Sequence, residues 1–184
     1  MNQQVLDLFR ASGAILEGHF RLTSGLHSPM YLEKFRVLQH PEHTARLCAM
    51  IADRFRDAGV QVVAGPTTGG VILAYEVGRQ LGVRGIFAER AEGGREFGRG
   101  FAIAPGERVL VVDDILTTGG SVRDVLDAVR RHGGRPVGVG VLADRSGATV
   151  DFGVPLFACT ALHIPTYQPD RCPLCEQGVP LQET

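Results

Sequence analysis

The run Val109-Leu-Val-Val-Asp-Asp-Ile-Leu-Thr-Thr-Gly-Gly-Ser121 sets two adjacent acids and a turn of hydroxyls and glycines directly behind a short apolar stretch. Val109 to Val112 has the composition of a strand covered on both faces of a parallel sheet. Thr117, Thr118, Gly119, Gly120 and Ser121 supply hydroxyls and backbone N–H groups just ahead of a helix expected from Ser121 to His132. A helix start carries unpaired donors and partial positive charge, so this turn is suited to cradle a phosphate. Asp113 and Asp114 would repel a bare phosphate, and they make chemical sense facing ribose hydroxyls or a divalent metal, where acceptor oxygens are wanted. The P-loop alternative fails because no Gly-Lys-Ser/Thr follows a four-residue spacer. The dinucleotide fingerprint fails because Gly119-Gly120 lacks its three-glycine spacing. The bland alternative is a strand, an acidic turn and a capped helix with no ligand.

Three further segments carry chemistry. Gly65-Pro-Thr-Thr-Gly-Gly70 follows a strand and opens a helix, so its backbone donors and two hydroxyls could take a second phosphate, although glycines in a turn are common in any strand-to-helix connection. Leu142-Ala-Asp-Arg-Ser-Gly147 brings Arg145 to another strand end, where its planar fork suits a carboxylate and where a surface salt bridge is the plain alternative. Ala88-Glu-Arg-Ala-Glu-Gly-Gly-Arg-Glu-Phe-Gly-Arg-Gly100 offers Arg90, Arg95 and Arg99 among glycines, which reads as a mobile, charged loop.

Val109 to Ser121 resembles, at every position, the 5-phosphoribosyl 1-pyrophosphate (PRPP) signature of the type I phosphoribosyltransferases. Phe20-Arg-Leu-Thr-Ser-Gly-Leu-His-Ser-Pro-Met-Tyr31 resembles the hood motif of the orotate phosphoribosyltransferases, and Asp144-Arg145 matches that group's Asp-Arg element. The resemblance implies an α/β fold with a central parallel sheet flanked by helices and a small hood. It also implies transfer of the phosphoribosyl group from PRPP to orotate with Mg2+, giving orotidine 5'-monophosphate and pyrophosphate in UMP synthesis. On the same ground PRPP would meet Thr67, Thr68, Gly69, Arg90 and the run Asp113, Asp114, Ile115, Leu116, Thr117, Thr118, Gly119, Gly120 and Ser121. Orotate would meet Thr117, Arg145, Thr23 and Ser24. Asp113, Asp114, Arg90 and Arg95 would serve catalysis, with Asp113 and Asp114 holding Mg2+ directly or through water. The family suggests a homodimer in which loop 89–100 is shared between subunits. Three departures stand out: the pyrophosphate loop often holds a lysine where Gly69 stands here, many members carry a lysine where Thr23 stands, and loop 89–100 lacks the family's usual lysines and histidine. The rival readings are a purine phosphoribosyltransferase, which should lack the hood motif and Arg145, and a PRPP-sensing regulator, which should carry a basic patch for nucleic acid.

The elements that must position these residues alternate strand and helix. A short helix is expected over Gln4–Ala11, hood strands over His19–Leu22 and Met30–Leu32, and a long helix from Pro41 to Gly59. Strands at Val60–Ala64, Arg84–Ala88, Val109–Val112 and Pro136–Leu142, with helices at Val71–Leu81 and after Ser121, point to a five-stranded parallel core with its ligand loops along one edge. A chain of 184 residues suits a single domain, 1–184. The hood would come mainly from 1–40, to which 160–184 could add, and the PRPP-binding core from about 41–159.

The net charge of -1 argues against a nucleic-acid surface, and Lys34 is the only lysine. No apolar run approaches the roughly 20 residues that span a bilayer, and the amino terminus lacks a basic, apolar leader, so a cytoplasmic protein without a membrane partner is expected. Four cysteines are too few for a secreted disulfide scaffold. Cys172-Pro-Leu-Cys175 is half a structural zinc site that would need Cys159, a histidine or a partner chain to complete it; a reduced, merely structural pair is the expectation.

Overall fold

Val109, Leu110, Val111 and Val112 are wholly buried, and the strand they begin continues through both acids to Leu116. The computed structural model describes residues 2–22, 24–147 and 149–183. In chain order the elements are α1 Gln3–Ala11, β1 Ile15–Arg21, β2 His27–Leu32, α2 Phe35–Leu38, α3 Pro41–Phe55, β3 Val62–Pro66, α4 Gly69–Leu81, β4 Arg84–Ala91, β5 Gly94–Glu96, β6 Arg108–Leu116, α5 Gly120–Arg131, β7 Arg135–Asp144, β8 Leu156–Ala161, α6 Pro173–Glu176 and β9 Gln182–Glu183. No helix among the described residues is long and apolar enough to cross a membrane.

The main sheet has the order β5-β4-β3-β6-β7-β8, with five parallel strands and β5 antiparallel at one edge. The fold is therefore α/β with a mostly parallel sheet flanked by helices. The fifth parallel strand, Leu156–Ala161, lies where the sequence pattern places no strand, because Ala158-Cys-Thr160 gives too weak an apolar alternation to read. Apolar side chains of α3 and α4 fill one face of the sheet, with Leu47, Ile51, Phe55, Leu73 and Val77 at its centre. Those of α5 fill the other, with Val122, Val125, Leu126 and Val129. On α3 the buried Leu47, Cys48, Ile51, Ala52 and Phe55 fall on the stripe that a 3.6-residue period requires, and Pro41 opens the helix where a missing N–H costs nothing.

A second sheet, β2-β1-β9, forms the hood. Its first strand starts at Ile15 rather than His19, because a register shift between Glu17 and Phe20 interrupts the alternation that marks a strand in sequence. Residues 182–183 return from the carboxyl end to pair parallel with β1.

Two expectations need correction. Asp113 and Asp114 belong to the strand end and not to the loop after it, since β7 supplies partners along β6 as far as Leu116. The segment from Glu89 is not an irregular loop either: Glu89, Arg90 and Ala91 pair with Glu96, Arg95 and Gly94 in a β-hairpin.

Candidate active site

Strands β3 and β6 are neighbours, yet β3 leads through α4 to β4 on one side while β6 leads through α5 to β7 on the other. The carboxyl ends of β3 and β6 thus flank the point where the winding reverses, the place at which open α/β sheets form a ligand crevice. A cavity of about 340 Å3 opens there, lined by Thr67 and Thr68 after β3, Asp113 and Asp114 on β6, Thr117 and Ser121 after it, and Arg145 after β7. Tyr31 and Lys34 reach it from the hood side, and Arg90 and Arg95 from the β4–β5 hairpin. A roomier groove of about 690 Å3, along α1 and α3, lies away from these strand ends. Convergence of acids, cations and hydroxyls, not size, marks the smaller cavity as the site.

The phosphate cradle forms as its residue types dictate. Gly119 takes a left-handed conformation (φ 80°) that a side chain would resist, and α5 begins with no side-chain cap on its free N–H groups. Thr117, Thr118, Gly120 and Ser121 line a small recess of about 60 Å3 at that helix start, with Ile115, Leu116 and Asp113. After β3 the Thr67–Thr68 peptide is cis.

The two acids differ in their surroundings. Asp113 is only 7% exposed, and burial, reinforced by repulsion from Asp114, pushes its carboxyl up to about 7. Asp114 accepts from Lys34 Nζ at 3.0 Å and from the backbone N–H of Ile115 at 2.7 Å. Gly69 presses against the same carboxylate: a Cβ there would overlap Asp114 Oδ2, so any side chain at position 69 requires the acid to shift. Lys34 supplies the cation from another element. In the sequence, its one signal is that it is the chain's only lysine.

The hairpin arginines divide. Arg95 is 5% exposed and donates to Thr67 Oγ1 at 3.1 Å, Ala88 O at 3.2 Å and Thr67 O at 3.3 Å, so it braces the loop after β3. Its Nε is buried without a partner among the described residues. Arg90 is exposed at the cavity mouth. Arg99 instead forms a two-point pair with Glu89, 2.8 and 3.0 Å, and lies outside the cavity lining.

Arg145 also buries an unpartnered Nε, and burial pulls its guanidinium below the usual range. It remains a cation. Tyr31, whose phenol burial pushes up, lies close enough to interact with it electrostatically. The hood contact differs from expectation. Ser24 is exposed at the hairpin tip, its Oγ facing the N–H of Leu26, and does not line the cavity. Thr23 lies outside the described residues. Tyr31 and Leu32, at the end of β2, are the hood-strand residues that line the cavity among the described residues.

The chain as a whole has clear relatives. The phosphoribosyl transferase domain family matches residues 36–152. The chain belongs to that family and has the type I phosphoribosyltransferase fold. The orotate phosphoribosyltransferase of Desulforamulus reducens is 51% identical over 178 residues, 97% of this chain and 93% of that protein. That of Pelotomaculum thermopropionicum is 52% identical over 177 residues, 96% of this chain and 93% of the relative. The crystal structure of orotate phosphoribosyltransferase from Aeropyrum pernix superposes with a TM-score of 0.72 at 26% identity, covering 86% of this chain and 93% of that one.

Proposed function

We propose that the protein is an orotate phosphoribosyltransferase, a pentosyltransferase that joins N1 of orotate to C1 of the ribose of PRPP as the bond from C1 to pyrophosphate breaks and the N1 proton leaves to the pyrophosphate or solvent. The observation that carries the reading is the shared cavity: a phosphate cradle at the start of α5, two acids beside it and Arg145 across from them. The 5-phosphate sits on the N–H groups and hydroxyls of Thr117 to Ser121, where the helix start stabilises negative charge. Asp113 and Asp114 accept from the ribose hydroxyls. Thr67, held by Arg95, and Thr68 receive the pyrophosphate. Arg145 lines the same cavity, where its guanidinium fork takes the orotate carboxylate, a pairing that uracil cannot make.

The donor set fits Mg2+, a hard cation that takes few carboxylates and keeps several waters. Asp113 and Asp114 would hold it, directly or through water, and bound there it supplies positive charge against the departing pyrophosphate. A cation nearby also favours the ionised form of Asp113, which burial and the neighbouring Asp114 disfavour. Lys34, Arg90 and Arg95 add fixed positive charge around the leaving group, and a closed hairpin would exclude water from an oxocarbenium-like ribose. No nucleophilic side chain is required.

The same reading makes the protein a cytoplasmic homodimer with the hairpin shared between subunits. No disulfide joins Cys48, Cys159, Cys172 or Cys175, in keeping with a reducing compartment. The test is a panel of bases incubated with PRPP and Mg2+, with products identified. Orotate should give orotidine 5'-monophosphate and pyrophosphate, while uracil, adenine and guanine should not react. Preference for a purine, or binding of PRPP with no transfer to any base, would overturn the proposal.

A further inference from the structure

Away from the cavity, the hood and the carboxyl-terminal segment bring together four side chains that the reaction does not use. His19 on β1, His27 at the start of β2, Cys172 just before α6 and Cys175 within it present donor atoms all within 4.8 Å of one another. His19 Nε2 is 3.0 Å from His27 Nδ1, 3.5 Å from Cys172 Sγ and 3.8 Å from Cys175 Sγ, and Cys175 Sγ is 3.3 Å from His27 Nδ1. Tetrahedral zinc with nitrogen ligands at roughly 2.0–2.1 Å and sulfur ligands at about 2.3 Å has donor-to-donor edges of roughly 3.3–3.8 Å. The four side chains therefore already stand at close to the corners of such a site. His19, His27 and Cys172 are buried, and Cys175 is exposed on the outer side.

Proton placement argues the same way. His19 Nδ1 lies 2.8 Å from the carbonyl oxygen of Val179, which can only accept, so Nδ1 carries the hydrogen and Nε2 turns a lone pair inward. That single lone pair faces one imidazole nitrogen and two sulfurs at once. A cation engages all four groups at once, whereas the one lone pair accepts only one strong hydrogen bond. The outward hydrogen bond of His19 is the kind of outer-shell contact that fixes a metal-binding histidine.

We propose that His19, His27, Cys172 and Cys175 bind one zinc ion. Four protein ligands close the tetrahedron, which makes the site structural and not catalytic. Each thiol gives up its proton as its sulfur binds, so two protons leave for each ion taken up. The ion ties the carboxyl-terminal segment to the turn end of the β1–β2 hairpin and so fixes β2, the strand that carries Tyr31 to the cavity. None of the four ligands lines that cavity.

The test uses untagged full-length protein purified under reducing conditions without chelator. Elemental analysis should find about one zinc per chain, falling at least tenfold in Cys175→Ser and in His27→Ala. Replacement of zinc by Co2+ in the parent should give thiolate-to-metal charge-transfer absorption and the intense visible bands of a tetrahedral ion. X-ray absorption of the zinc form should show two sulfur and two nitrogen neighbours. These spectra are taken on the parent and decide the matter even if a variant fails to fold. Parent protein that holds no zinc and takes up Co2+ without charge-transfer absorption overturns the proposal, as does bound zinc with only oxygen and nitrogen neighbours.

Discussion

Lys34 Nζ lies 3.0 Å from Asp114 Oδ2, on a carboxylate that Gly69 presses from another side. The two contacts account for each other. Any side chain at position 69 would displace the acid, and Lys34 brings positive charge from the hood side to the place where the loop cannot. The pair is partly buried, with Asp114 at 5% side-chain exposure and Lys34 at 35%, so it is screened less than a surface ion pair.

Lys34→Met should therefore weaken PRPP binding while leaving the fold intact. A charge-assisted hydrogen bond commonly contributes about 1.5–3 kcal/mol, which corresponds to on the order of a tenfold to hundredfold loss of affinity. Calorimetric titration with PRPP and Mg2+ checks this, and unchanged affinity would remove Lys34 from the site.

Gly69→Ala tests the other side of the same acid. Its Cβ has no space, and overpacking of this kind costs about 1–3 kcal/mol. The variant should melt at a lower temperature, by about 2–4 °C for each kcal/mol in a chain of this size. It should also bind PRPP more weakly, because Asp114 must move. A variant with parental melting and affinity would show that the loop relaxes without disturbing the acid.

Asp113 gives a pH signature. Its folded-state pKa of about 7 lies above the ordinary 3.8, so between those values the folded protein keeps a proton that the unfolded chain has lost. Unfolding free energy then falls as pH rises through that window and levels off above it. Urea unfolding of ligand-free protein from pH 4 to 8 should show this slope, and Asp113→Asn should flatten that part of it and be the more stable form at pH 8. Parallel curves for parent and variant would mean that Asp113 ionises normally.

Arg145→Ala should raise the KM for orotate about tenfold to a hundredfold while changing that for PRPP much less, since a single charge-assisted pair is lost. Arg145→Lys should recover little, because a point charge cannot replace the two-pronged fork. Equal effects on both substrates would assign Arg145 a general structural role.

The sheet and its ligand edge were legible because Val109–Val112 and Pro136–Leu142 are apolar runs followed by glycine-rich turns, a pattern set by local chemistry. Asp113, Asp114, Thr67, Thr68, Thr117, Ser121, Arg90, Arg95 and Arg145 all come to one cavity as their motifs implied. What sequence hid depends on distant pairing. Nothing local ties Lys34 to Asp114, the hairpin at Gly94–Glu96 forms only by pairing with β4, and Tyr31, not Ser24, reaches the site because β2 runs on toward it. The two histidines facing Cys172 and Cys175 were beyond reach for the same reason, since their approach requires the carboxyl-terminal segment to fold back over the hood.

The hairpin arginines separate two roles that the sequence lumped together. Arg95 is buried against Thr67 of its own chain, so Arg95→Ala should loosen the loop after β3 and raise the KM for PRPP together with a loss of turnover. Arg90 is exposed at the cavity mouth and holds no such post, so Arg90→Ala should lower kcat about tenfold or more and leave orotate affinity nearly unchanged, as expected for a charge that meets the leaving group only when the hairpin closes. Closure should also protect the hairpin from protease when PRPP and Mg2+ are bound. Mixing each variant with Asp113→Asn/Asp114→Asn chains then tests sharing across the dimer. Arg90→Ala should regain activity above that of either parent variant, because an intact hairpin from the acid-deficient chain can serve the intact pocket of its partner. Arg95→Ala should not, because its contact is made within one chain. Recovery with neither variant would place the whole hairpin in its own subunit's site, and parental turnover in both would send the search for the leaving-group cation back to Lys34.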